Sequence, residues 1–151
     1  MILFKRLNAF LLLVFLLTPI HVHAETKTPN DIALATLDRF MTAFNDQDID
    51  AWAETLNYPH VRFASGTVTT YDSSDAFKDR LIFPALAATG WHHSLWTKRT
   101  ITLSSDKKVH IDTEFERRNA DDQSIGRYRS LYIVTEQNGR WGIQARSSLA
   151  P

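Results

Sequence analysis

The sequence predicts an α+β domain in which helices come first and an antiparallel sheet follows. Three observations carry this. Apolar residues recur at helical spacing from Leu37 to Phe44 and again from Ile49 to Leu56. From His60 onward the period changes to the alternation of strands. Beyond Trp91, long alternating stretches follow one another to Ser147, separated by short polar turns. Helices segregated from strands argue α+β rather than a parallel sheet.

The elements follow in chain order. Lys5 and Arg6, the apolar run Leu7 to Leu17, the breaker Pro19 and the compact Val22-His23-Ala24 predict a cleavable export signal, cut after Ala24. The run is shorter than the roughly 20 apolar residues of a spanning helix. The expected location is therefore periplasmic or secreted, with a signal over 1–24 and one domain over 25–151. Thr28-Pro29-Asn30-Asp31 reads as a helix start, with a threonine cap, proline at the first position and an acid behind it. Leu37, Phe40, Met41 and Phe44 form its apolar face. Asp48 caps a second helix that buries Ile49, Trp52, Ala53 and Leu56, and Pro59 is expected to end it.

His60 to Ala64 and Val68 to Tyr71 then read as a strand pair around Gly66. A third helix is expected from Ser73 or Ser74 through Arg80 and Leu81, kinked or split by Pro84 and closed by Gly90. Strands are expected over 91–103, 108–118, 126–136 and 141–147, with Asn138-Gly139 the strongest hairpin signal.

This order resembles the nuclear-transport-factor-2-like superfamily. The resemblance rests on Phe40-Met41-Thr42-Ala43-Phe44-Asn45-Asp46-Gln47-Asp48, on Asp50-Ala51-Trp52, and on Lys108-Val109-His110-Ile111-Asp112 with Gly139-Arg140-Trp141-Gly142-Ile143. These are most similar to the polyketide-cyclase-like (SnoaL-like) bacterial branch. The resemblance implies a cone-shaped curved antiparallel sheet lidded by three N-terminal helices (a cystatin-like roll), enclosing an apolar pocket, often in a homodimer. Relatives include isomerases, dehydratases, hydrolases and cyclases, so the fold alone does not set the chemistry.

Composition narrows the chemistry. Without residues 1–24 the chain holds 127 residues, with 15 basic and 17 acidic side chains. That balance gives no reason to expect a nucleic-acid partner, or a membrane partner once the signal is removed. There is no cysteine, which excludes thiol nucleophiles and thiolate metal sites. No phosphate-binding loop, nucleophile elbow or zinc-protease run occurs, and no cofactor and no metal are expected.

Alternation sorts the polar candidates by face. His110 and Asp112 share a face with Glu114 and Glu116, either as an acid/base pair or as part of a solvated or dimer-forming face. His60 and Arg62 share another, where arginine would bind a carboxylate or enolate-like oxygen or tie the strand to a neighbouring acid. Tyr58 would stand beside them. His93 shares parity with Trp91, Leu95, Ile101 and Leu103 and is expected among core or pocket residues. Trp52 and Trp91 are the tryptophans expected at the pocket, and Arg146 is expected to pair with Glu114 or Asp112.

Two main readings follow, with a third behind them. The first is an exported module holding a small apolar molecule. The second is a cofactor-independent lyase or isomerase in which His60, His93 or His110 moves a proton and Arg62 or Tyr58 steadies an oxyanion. The third is a homodimeric interaction domain without a ligand.

Overall fold

Thr28 sets the start of the first helix. Its hydroxyl accepts from the Asp31 backbone N–H at 3.2 Å, and the Asp31 carboxylate accepts from the Thr28 N–H at 3.0 Å, closing a capping box. Helix α1 then runs Pro29–Asn45. The computed structural model describes residues 27–64, 66–80 and 82–150, so the expected export segment lies outside the described residues. Asp48 caps α2 (Ile49–Glu54) by accepting from Ala51 N–H at 2.9 Å.

Helix α2 ends before the proline expected to stop it. Pro59 falls inside strand β1 (Leu56–Ala64), after a cis Tyr58–Pro59 bond. The extended chain begins early because Leu56 pairs across the sheet with Ile143 and the fully buried Asn57 donates to the Thr135 carbonyl at 2.8 Å. Long-range partners override the local helix signal here. The third predicted helix is split in two. Ser73 caps α3 (Ser74–Lys78), and α4 (Phe83–Ala87) starts afresh with Pro84 in its first turn.

Strand β1 pairs with β2 (Thr67–Tyr71), and β3 (His93–Ser105), β4 (Lys108–Arg118), β5 (Ser124–Gln137) and β6 (Arg140–Ser148) complete one sheet. Its order is β2-β1-β6-β5-β4-β3, antiparallel except where β1 runs parallel to β6. Asn138 and Gly139 both adopt positive φ, 54° and 81°, as the tight β5–β6 hairpin demands. The result is a mixed α+β fold with a six-stranded sheet and helices at its N-terminal end.

One face of β4 (Val109, Ile111, Thr113 and Phe115) is buried beneath Leu37, Phe40 and Phe44 of α1. Trp52 ties the helices together, with its ring 5.5 Å from Phe40, 5.1 Å from Phe44 and 4.9 Å from Phe77. Each such buried aromatic contributes about 1.5–3 kcal/mol. The opposite face carries an ion-pair lattice. Asp112 pairs with Arg129 at 2.9 Å, and Glu116 with both Arg118 and Arg127.

Two strands change face partway along. On β3, Trp96 and Arg99 both stand over inward β4 residues, Phe115 and Thr113, although three positions apart. On β6, Ile143 and Arg146 likewise both stand over inward β5 residues, Val134 and Tyr132. Each extra residue is a bulge that inverts the alternation beyond it.

Candidate functional site

The sheet's inner face and the helices leave a cavity of about 320 Å³ between them, at the small end of the range for ligand pockets. Phe40, Met41 and Phe44 of α1 and Leu86 of α4 form its apolar wall, facing Phe115 and Tyr132 of the sheet. Four arginines also line it: Arg62 from β1, Arg80 after α3, Arg117 from β4 and Arg146 from β6. Among the described lining residues there is no aspartate or glutamate.

Sequence position explains how the arginines converge. Arg62 and Arg146 are direct partners across the parallel β1–β6 pair, so their backbones stand about 4.8 Å apart. Arg146 points inward only because of the β6 bulge. Its guanidinium carbon lies 5.4 Å from the Tyr132 ring centre and 5.8 Å from both Phe40 and Phe115. Arg80 lies over Trp52, Tyr71 and Phe77 at 5.3, 5.3 and 5.0 Å. Arg117 lies 4.9 Å from the Tyr128 ring, and that ring crosses Gly126, where any Cβ would collide with it.

Aromatic faces lie against the Arg80, Arg117 and Arg146 guanidinia. Among the described residues no acid pairs with Arg62, Arg80 or Arg146. The Nε groups of Arg62 and Arg146 are buried without a hydrogen-bond partner, although one Arg146 Nη donates to Ser148 Oγ at 3.1 Å. Burial, with Arg62 and Arg146 nearby, pushes Arg80 down to about 10, so it stays charged at neutral pH. Burial lowers Arg62 and Arg117 too, and Arg146 adds repulsion to both. The cavity is thus lined by cations and by no described acid.

The residues singled out from sequence lie as follows. Arg62 lines the cavity. Trp52 and Trp91 are packed in the aromatic core behind its lining, where Trp91 Nε1 donates to Ser94 Oγ at 2.9 Å. Tyr58 donates its hydroxyl to the Ala53 carbonyl at 2.9 Å. His60 is buried with its ring 6.3 Å from Tyr71, and its Nδ1 donates to the Ile143 carbonyl at 3.0 Å. Desolvation, reinforced by Arg146, Arg80 and Arg62, pulls it down to about 4, against the opposing carbonyl bond.

His93 is not among the core residues its parity suggested. The β3 bulge reverses that parity, and His93 pairs instead with Asp122 at 3.3 Å. His110 and Asp112 lie on the outer face, with Asp112 held by Arg129. Arg146, expected to pair with Asp112 or Glu114, turns inward at its own bulge. No three histidine or acidic side chains among the described residues are placed to hold a metal ion, and no described helix is long and apolar enough to cross a membrane.

Sequence reasoning passed over Arg80, Arg117 and Arg146 as site residues. One signal was available for Arg117. It continues the parity of Val109, Ile111, Thr113 and Phe115, and so puts a charge on the buried face of β4.

Solved structures resemble the whole fold. An NTF2-like protein of unknown function from Shewanella oneidensis aligns at a TM-score of 0.66 and 16% identity, over 82% of this chain and 100% of its own. A protein of unknown function with a cystatin-like fold from Nostoc punctiforme gives 0.67 and 15%, over 82% and 93%. A ketosteroid isomerase-like protein from Erwinia carotovora atroseptica gives 0.59 and 18%, over 80% and 95%. At such identities the likeness is one of fold. No curated protein matches the chain. The sequence pattern of the family described as NTF2-like protein (DUF6841) matches residues 30–150, and the chain belongs to that family.

Proposed function

We propose that this protein is an exported binding module for a small organic acid. Its cavity would hold an apolar body against Phe40, Phe44 and Phe115, and an anionic group on Arg62, Arg80 and Arg146. One observation carries the reading: three arginines without carboxylate partners around a cavity that no described acid lines. A guanidinium left in a desolvated site recovers its lost hydration when a carboxylate or phosphoryl oxygen enters. The apolar ligand expected from sequence thereby becomes an amphipathic one.

Histidine acid/base catalysis has less support. His60 adjoins the arginine cluster, but its Nδ1 is committed to a backbone carbonyl and its ring stays neutral down to about pH 4. His93 and His110 do not line the cavity.

Native mass spectrometry of the protein purified from its own compartment tests the reading. A co-purifying molecule that ionises as an acid, and is lost from Arg146→Met, is expected. A bound species without an acidic group would contradict it. The same spectra test export, since a chain beginning at Glu25 is expected and an uncut, membrane-bound species would refute the signal.

A further inference from the structure

Building on the organic-acid reading of the cavity, we infer that its ligand bears a compact dianionic head of the phosphoryl type, as a phosphate or phosphonate on an apolar group, rather than a single carboxylate.

Arg62 and Arg146 are paired across β1 and β6. Arg80, over Tyr71 at 5.3 Å, lies close enough to Arg62 and Arg146 for their charge to lower it, and Arg146 lies over Tyr132 at 5.4 Å. Three guanidinia therefore gather at one end, where β1 and β6 meet the segment after α3. Arg117 enters from β4, with its guanidinium over Tyr128. Apolar side chains, chiefly Phe40, Met41, Phe44 and Leu86, complete the wall.

A carboxylate has two oxygens and one charge, which the paired Arg62 and Arg146 satisfy with one oxygen each. Arg80 would be left without an anion. A phosphoryl monoester brings about −1.5 to −2 charges at neutral pH and three acceptor oxygens, enough for one guanidinium apiece. Free inorganic phosphate offers the same head but would leave the apolar wall bare.

Calorimetric titration of the purified protein with phenyl phosphate, benzoate, benzyl alcohol and inorganic phosphate separates these cases. Phenyl phosphate is expected to bind at least about tenfold more tightly than benzoate at pH 7.5, and its advantage should shrink below the second phosphate pKa of about 6. It should also exceed inorganic phosphate by at least about tenfold, because only the ester covers the apolar wall. Benzoate equal to phenyl phosphate would overturn the dianionic head while leaving the organic-acid reading intact. Neither acid binding better than benzyl alcohol would overturn both. Inorganic phosphate equal to phenyl phosphate would overturn the apolar body.

Arg80→Met should weaken phenyl phosphate at least about fivefold and benzoate less than about twofold, since only the dianion needs the third guanidinium. Equal losses would count against the three-point head. Arg62→Lys, which keeps the charge and the stem, guards against a folding artefact. It should preserve thermal stability yet lose at least about threefold for phenyl phosphate, because the planar fork is gone. Unchanged affinity in that variant would also contradict the inference.

Discussion

His60 and the arginines beside it set the residue-scale behaviour. The ring is buried neutral, displaced from 6.5 to about 4. A histidine with a depressed folded value stabilises the fold fully above its unfolded pKa, and that contribution is lost as pH falls through the folded value. Here the window runs from about pH 6.5 down to about 4, and the linkage is on the order of 3 kcal/mol. Urea titrations across that range should show stability falling with acid, and His60→Asn should flatten the fall. A slope that survives the substitution would place the titration elsewhere. Arg146 predicts the opposite pairing of effects. Arg146→Met keeps the volume and removes a repelling charge, so thermal stability should hold or rise. Affinity for benzoate should drop at least about tenfold, or about 1.4 kcal/mol. Reduced stability with intact affinity would make Arg146 a structural residue only.

At the scale of elements, caps and hairpin turns were legible and face changes were not. Thr28, Asp48 and Ser73 each cap the helix their local sequence announced, and Asn138-Gly139 makes the turn it announced. Such signals are complete within a few residues. The start of β1 was not legible at Leu56, because its reason is a partner 87 positions away at Ile143. The bulges on β3 and β6 were hidden for the same reason. They depend on register with β4 and β5, and each one reversed a face assignment, His93 in one case and Arg146 in the other. The site therefore read from sequence as scattered histidines, while the structure gathers arginines from three strands and a helix end. The tie at β1's start is testable. Asn57 is fully buried, donates to Thr135 and accepts from Arg140 at 2.9 Å. Asn57→Ala strands those partners and should cost about 1–3 kcal/mol in chemical denaturation. A change below about 0.5 kcal/mol, the range of ordinary surface substitutions, would mean the network does not hold β1 to β6.

Across the whole molecule, charge is sorted by face. The outer sheet face pairs Asp112 and Glu116 with Arg118, Arg127 and Arg129, and the cavity holds arginines with no lining acid among the described residues. A nearly neutral chain thus encloses a strongly cationic interior, which overall composition cannot reveal. Family membership fixes the architecture, and the ligand class has to come from this cavity's own side chains. The most direct measurement is a matched pair of calorimetric titrations, benzoate against benzyl alcohol, into the wild-type protein and Arg62→Met. The account predicts that the acid binds at least about tenfold more tightly than the alcohol, and that the substitution abolishes this difference. Equal binding of acid and alcohol to the wild-type protein would contradict it.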